Sequence, residues 1–399
     1  MDSSPGTVVQ VVTSIMWQRF GKLLRQMFAA LLLLGALLLG GEFWLRDRKG
    51  IERVVTCQSA MVYQGLLQES AFQHHELRPL HTAIIRPVPG RPIEIKTDKF
   101  GCRDAQNGVA ATGDHYRILM LGDELIFGGT VPDGATVPAR LQRFLERETN
   151  RELEVLNGGV PGYCPVLAQL RFQHQLHEMK PDLVILHVDM SDIHDDQIYR
   201  SLLEVEGAEV VCRHPSLRLP SKTKTPLVDI LGHSSLVGSA FSALRSRGPE
   251  WFAIRGEAAG QSRFEWISDH PEDMRLQIRH ALEPLVELRK AVEQAGGQLL
   301  VTTCPVIWQV LAGSECPQLT RSCRIRGTTP FRSRFPFDVL SRYCEQERIH
   351  YLDCSESFQR GADTSKLFDR ALPTLSERGM AYYAKLISDY IISNPPAQW

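Results

Sequence analysis

From Tyr116 onward, short runs of apolar residues alternate with longer stretches in which apolar positions recur every three or four residues. The short runs are Ile118–Leu121, Leu153–Leu156, Leu183–Val188, Gln298–Thr303 and Ile349–Leu352. Each is brief and close to continuously apolar, as a strand covered on both faces must be. The clearest helical stretch runs from Glu272 to Ala295, with Leu282, Leu285, Val286 and Val292 on one face. Ser268 or Asp269 would cap it, Pro271 suits its first turn, and Gly296 and Gly297 end it. Alternation of this kind predicts an α/β domain: a parallel sheet of about five strands with helices on both faces.

Two stretches break the pattern. From Gln26 to Gly41 the chain has sixteen uncharged, mostly apolar residues, followed by Glu42 and then Phe43, Trp44 and Leu45. Counted from Met27 to Leu45, with Glu42 at the boundary, a helix would be about 28 Å long, enough to cross a bilayer core. Trp17, Phe20 and Trp44 could sit at the two interfaces. No small-residue cleavage site follows cleanly, so the reading is a single-pass, uncleaved signal anchor. Arg19, Lys22 and Arg25 precede the span while Arg46, Arg48 and Lys49 follow it. The default topology is a short tail inside and the large domain extracytoplasmic. The second break, residues 199–266, is charged and Ser-rich with one helix expected near Leu236–Leu244, and reads as an insertion over the strand ends. The expected organisation is a tail over 1–26, the anchor over 27–45, a linker and extension over 46–95 that is Pro-rich in part and reads as loops with an edge hairpin, and the domain over 96–394.

Composition changes this picture little. Hydrophobic content of 43% and charged content of 23% are those of a globular chain. A net charge of −1 gives no electrostatic case for nucleic acid as a partner. The nine cysteines show no zinc-type pairing. Cys316 and Cys323 could form a local disulfide in an extracytoplasmic domain, whereas Cys304 and Cys354 end strands and read as buried small hydrophobes.

Ligands of open parallel sheets bind at the carboxyl ends of the strands, and four turns fall there. They are "LGDELIFGG" after the first strand, "LNGGVPGY" after the second, "HVDMSDIHDD" after the third, and "LPTLSERGMAYYAKLI" opening the last helix. Their order resembles the blocks of the SGNH (GDSL) hydrolases, and "DKFGCRD" before the first strand resembles the approach segment of bacterial membrane-anchored members. The resemblance covers about residues 96–392. It implies a three-layer α/β/α, flavodoxin-like fold and a hydrolase site, with the catalytic positions largely substituted. Glu124 stands at the nucleophile position. Gly159 is kept at the glycine whose N–H faces the oxyanion in the family, beside Gly158. Ser191, just before Asp192, takes the asparagine position. Thr374 takes the histidine position, and Ala371 that of the aspartate before it.

Ester hydrolysis by this route needs a hydroxyl nucleophile, a base to take its proton, and donors facing the oxyanion. No histidine follows His350, and Glu124 would put negative charge where positive potential is wanted. The expectation is a degenerate hydrolase fold acting as a binding or scaffold module in the cell envelope. Its partners would be the membrane and a glycan or lipid-derived ligand, a class taken from the resemblance alone. The alternatives are an esterase or acyltransferase using other residues, or a metal-assisted hydrolase.

Local chemistry offers plainer readings. Thr374 with Glu377 spells a helix capping box, and Asp123 and Asp192 suit turn-holding hydrogen bonds. Asp123, Glu124, Asp189, Asp192, His194, Asp195 and Asp196 could together hold a divalent cation, but a solvated acidic rim is the expectation, with no metal or cofactor assigned. His187, inside "LVILHV", reads as a satisfied core histidine.

Overall fold

The computed structural model describes Gln26, Tyr63 and residues 65–86, 91–103, 115–207, 209–214, 217, 263–267, 274–323, 325, 330–360, 363–396 and 399. The chain divides into two units: Met1–Gly50 with Leu219–Glu257, of which Gln26 alone is described, and Ile51–Arg218 with Ala258–Trp399. The expected anchor at 27–45, the helix near 236–244 and the helix caps at Ser268, Asp269 and Pro271 all lie outside the described residues. Among those described, no helix is long and apolar enough to cross a membrane.

The larger unit opens with two antiparallel ribbons, β1 (Leu67–Glu69) with β2 (His75–Leu77) and β3 (Thr82–Ile85) with β4 (Ile93–Lys96). These fall in the segment read as Pro-rich linker. The sheet follows: β5 (Tyr116–Leu121), then the short α1 (Glu124–Phe127) and α2 (Val137–Thr149), β6 (Leu153–Asn157), α3 (Pro165–His174), β7 (Leu183–His187) and α4 (Asp192–Arg200). A small antiparallel hairpin, β8 (Leu203–Glu206) with β9 (Glu209–Cys212), begins the predicted insertion. Then come α5 (Arg275–Gln294), β10 (Gln298–Thr303), α6 (Pro317–Ser322), α7 (Phe335–Gln346), β11 (His350–Asp353), α8 (Ser355–Arg360) and α9 (Glu377–Ser393).

Five strands form one all-parallel sheet in the order β11-β10-β7-β5-β6. Numbered within the sheet this is 2-1-3-4-5, the flavodoxin-like winding. Every residue of β7 is buried, which a parallel strand achieves only with helices over both faces. α9 packs against α2, while α3, α4 and α5 pack together as a second group. The last helix shows why its sequence folds this way. Ser376 caps it by accepting the Gly379 N–H at 3.2 Å, and Met380, Tyr383, Ala384, Ile387 and Ile391 repeat at helical spacing on its buried face. The cap is therefore Ser376, and the capping box read at Thr374 does not form; Thr374 lies two residues further out, in the turn.

α5 starts at Arg275 rather than Glu272, behind Met274, whose side chain gives no capping bond. Cys316 and Cys323 are both free and buried, so the local disulfide does not form. Cys304 and Cys354 follow β10 and β11 as buried thiols, as read from sequence.

One buried cation ties the pieces together below the sheet's carboxyl edge. Arg103, 3% exposed, donates to the carbonyls of Phe127 (2.8 Å), Gly128 (2.7 Å) and Val131 (2.9 Å) and pairs with Asp133. It thus fastens the loop after α1 to the segment that precedes β5.

Candidate functional site

β5 and β7 are neighbours, and the chain switches direction of winding between them, so the turns that follow them meet where such sheets bind ligands. The first turn begins at Gly122, with φ of 153°; a methyl group there would lie 2.7 Å from Ile126 Cγ1 and 3.2 Å from His187 Cβ. Only glycine lets this turn press on β7. Asp123 then caps α1, its Oδ1 accepting the Leu125 N–H at 3.1 Å, and Glu124 is the helix's first residue.

The second turn is held by its own acids. Asp189 Oδ1 accepts the Ser191 N–H (2.8 Å) and the Ser191 hydroxyl (2.6 Å), and Asp192 Oδ2 accepts the Asp189 N–H at 2.9 Å. The turn-holding roles read for Asp123 and Asp192 are therefore present. The Ser191 hydroxyl is spent on Asp189.

Beneath both turns sits His187. Its Nδ1 is 2.9 Å from the Tyr383 hydroxyl, which donates to Thr302 Oγ1 at 2.7 Å. Its Nε2 has no hydrogen-bond partner among the described residues and stands 3.9 Å from Asp189 Oδ2. Burial pulls the imidazole down to about 4 against the opposing pull of Asp189. Desolvation, then repulsion from Asp189, Glu124 and Asp192, pushes the Asp123 carboxyl well above its usual range. Asp192 is raised for similar reasons, burial first and Asp189 second.

Asp123, Glu124, Asp189 and Ser191, but not Asp192 or His187, line a narrow cleft with Tyr63, Leu125, Gly129, Thr130, Arg263, Phe264 and the Leu372–Thr374 turn. The space left is small, about 40 Å³, enough for a few waters. The Oε2 atom of Glu124 and the Thr374 hydroxyl are buried here without hydrogen-bond partners among the described residues. The positions read at Glu124, Asp123, Ser191 and Thr374 are therefore brought together. Gly159 and Gly158 are not at the cleft wall. The Gly159 N–H donates to Asn157 Oδ1 at 3.0 Å, and a methyl group on Gly159 would lie 2.3 Å from the Phe127 nitrogen. The Gly158 carbonyl accepts from Arg171 at 2.8 Å. Gly159 thus lets the turn after β6 pack against α1, and Gly158, where a methyl group would lie 2.8 Å from Leu121 Cδ2, lets it press on β5.

The expected acidic rim does not exist as a set. Asp195 is buried in an ion pair with Arg263, through Nε at 3.0 and 3.1 Å and through Nη2. Asp196 is bonded by Arg200 at 2.9 and 3.1 Å. What remains is Asp123 with Asp189, and the histidine that joins them is His187 rather than His194. Sequence reasoning missed Arg263 and Tyr63 altogether. Arg263 lies at the far end of the segment read as an insertion and Tyr63 in the supposed linker, and neither stretch carries a periodicity that would flag it.

No family model matches this chain, and no curated protein does. Solved structures show distant likeness. The psychrotrophic esterase EstA from Pseudoalteromonas sp. is 11% identical with a TM-score of 0.36, over 70% of this chain and 97% of that one. TesA is 10% identical with a TM-score of 0.36, over 69% and 97%. A GDSL-like lipase from Bacteroides thetaiotaomicron VPI-5482 is 10% identical with a TM-score of 0.33, over 70% and 88%. Likeness at this level says nothing of activity, so the chemistry is read from this chain's own side chains.

Proposed function

We propose that this chain is a membrane-anchored, SGNH-hydrolase-like domain that has lost serine ester hydrolysis and binds a ligand or partner in the cell envelope. One observation carries the reading: at the turn read as the family's nucleophile position, Glu124 lines a cleft to which the last turn contributes Thr374 rather than a histidine. At those two positions neither a nucleophilic hydroxyl nor an imidazole base then stands. The field has the wrong sign as well. Asp123, Glu124 and Asp189 crowd one spot, and the nearby Arg263 is already paired with Asp195. A developing oxyanion would meet carboxylates instead of donors. The cleft, at about 40 Å³, also has no room for an acyl ester without opening. A glycan or lipid-derived ligand follows from the resemblance, and anchoring follows from the apolar run at 27–45.

The test is the full chain in detergent, assayed against short acyl esters beside Glu124→Ser and Glu124→Ala. All three are expected to give no turnover above the blank. Restoring the hydroxyl alone supplies no base, and loss of either group in a serine hydrolase costs many orders of magnitude. Turnover in the parent chain that falls in Glu124→Ala would overturn the proposal.

A further inference from the structure

We propose that Asp123, His187 and Asp189 form a site for one divalent transition-metal ion, zinc fitting the donor set best. The three residues come from the turns after two adjacent strands and from the end of β7 itself, and one ligand atom from each lies within 4.8 Å of the others. Two ligands on a tetrahedral zinc stand about 3.3–3.6 Å apart, since each bond is about 2.0–2.2 Å. The His187 Nε2 to Asp189 Oδ2 separation of 3.9 Å must therefore close by about half an ångström, and the wider pairs, all within 4.8 Å, by about 1 Å, as the carboxylates turn onto the ion.

The imidazole is the independent sign. Because the Tyr383 hydroxyl donates to Thr302 Oγ1, its oxygen is left to accept the His187 Nδ1–H. The neutral ring then carries its proton on Nδ1 and a bare lone pair on Nε2. That atom is wholly buried, has no hydrogen-bond partner among the described residues, and points toward a carboxylate oxygen. Lone pair against lone pair in a dry site is unfavourable unless a cation lies between them.

The outer contacts agree. Metal-binding histidines hand their other N–H to a fixed acceptor, here Tyr383. Asp123 and Asp189 each have one oxygen held, by the Leu125 N–H and by Ser191 respectively, which sets the carboxylate plane and leaves the second oxygen for the ion. Three protein ligands leave a fourth position, and the cleft beside Glu124 has space for the water that would fill it. Imidazole with two carboxylates is a borderline donor set, which favours zinc over magnesium or calcium.

The inference stands apart from the loss of ester hydrolysis, because its readout is metal uptake and not turnover. The full chain is stripped with a chelator and titrated with zinc chloride by calorimetry, with thermal unfolding measured alongside. One zinc per chain is expected, with a higher melting temperature in the metal-bound state. Asp123→Asn and Asp189→Asn should each weaken binding at least about tenfold, because the amide keeps the turn hydrogen bond but loses the charge. Tyr383→Phe, which leaves all three ligands in place, should weaken it about 10–100-fold. Metal-free melting of each variant shows whether it is folded. No uptake by the parent chain would overturn the site, and so would folded variants that bind zinc as the parent does.

Discussion

Replacing Arg103 with alanine is expected to destabilise the chain by about 3–5 kcal/mol, read as a lower urea midpoint at unchanged slope. The guanidinium does more than balance a charge. It serves three backbone carbonyls, those of Phe127 at the end of α1, Gly128 that caps it, and Val131 in the loop beyond. Its Nε and Nη2 also hold Asp133, at 2.8 and 2.6 Å. Burial is strong enough to lower the Arg103 pKa despite the neighbouring carboxylate. When the side chain is removed, Asp133 is 28% exposed and can turn to water. The Phe127 and Gly128 carbonyls each keep one other donor, Asn157 Nδ2 at 3.4 Å and the Val131 N–H at 3.1 Å, whereas the Val131 carbonyl loses the donor it has among the described residues. Buried acceptors left without donors cost about 1–3 kcal/mol each. Lysine at this position should recover only part of the loss, since a single ammonium cannot span the fork that guanidinium fills. A loss below about 1 kcal/mol in Arg103→Ala would mean the loop finds other donors. Gly129 and Thr130 of this loop line the cleft, so the variant should also blur the site.

The second large effect is acid sensitivity at His75. Its Nε2 bonds the Pro161 carbonyl at 2.9 Å, and its Nδ1 lies 2.9 Å from that of His74, so the neutral ring bridges β2 to the Gly-rich turn. Burial lowers its pKa from 6.5 to about 4, with the Pro161 bond opposing and His214 and Arg171 adding slightly. The folded chain therefore refuses a proton that the unfolded chain accepts. Stability from this group is fully present above pH 6.5 and is lost as pH falls from 6.5 towards 4, by about 3 kcal/mol in all. His187 acts in the same direction. Asp123 and Asp192 act in the opposite one, since their raised pKa values make the folded chain hold protons that the unfolded chain sheds. The whole-protein profile mixes both, so His75→Gln isolates the histidine. The stability gap between parent and variant should shrink by about 3 kcal/mol from pH 7 to pH 4. A gap that stays flat would show that the ring titrates normally.

The sheet was legible because its strands are buried on both faces, and that demand leaves continuous apolar runs such as Leu183–His187. Of the ribbons, β3 with β4 matches the edge hairpin read from the Pro-rich stretch, while β1 with β2 was not legible, because three-residue strands leave no run to count. At the site, the turns themselves could be read from Gly-Asp and from the close-set acids. Their partners could not. Asp195 and Arg263 are 68 residues apart and meet only after the intervening segment returns, so the acids looked like an open rim when two of them are neutralised. His187 shows a subtler limit. An apolar setting indicated a satisfied core histidine; the ring is buried as expected, but among the described residues only Nδ1 has a partner, and Nε2 faces Asp189. Thr374 misled because a capping-box spelling tests local pattern, and the helix chose Ser376, whose hydroxyl also reaches the Lys366 carbonyl.

The buried thiols turn the molecule into its own clock. All eight cysteines described are buried, none more than 5% exposed. Desolvation drives the thiols of Cys164, Cys304, Cys344 and Cys354 upward, so little thiolate forms where alkylating reagents act. Modification at these positions then has to wait for the surrounding structure to open. Cys164 reports on the start of α3, Cys304 and Cys354 on the carboxyl edge of the sheet, and Cys344 on α7. Their separate labelling rates would rank which layer breathes first, with no probe added to the chain.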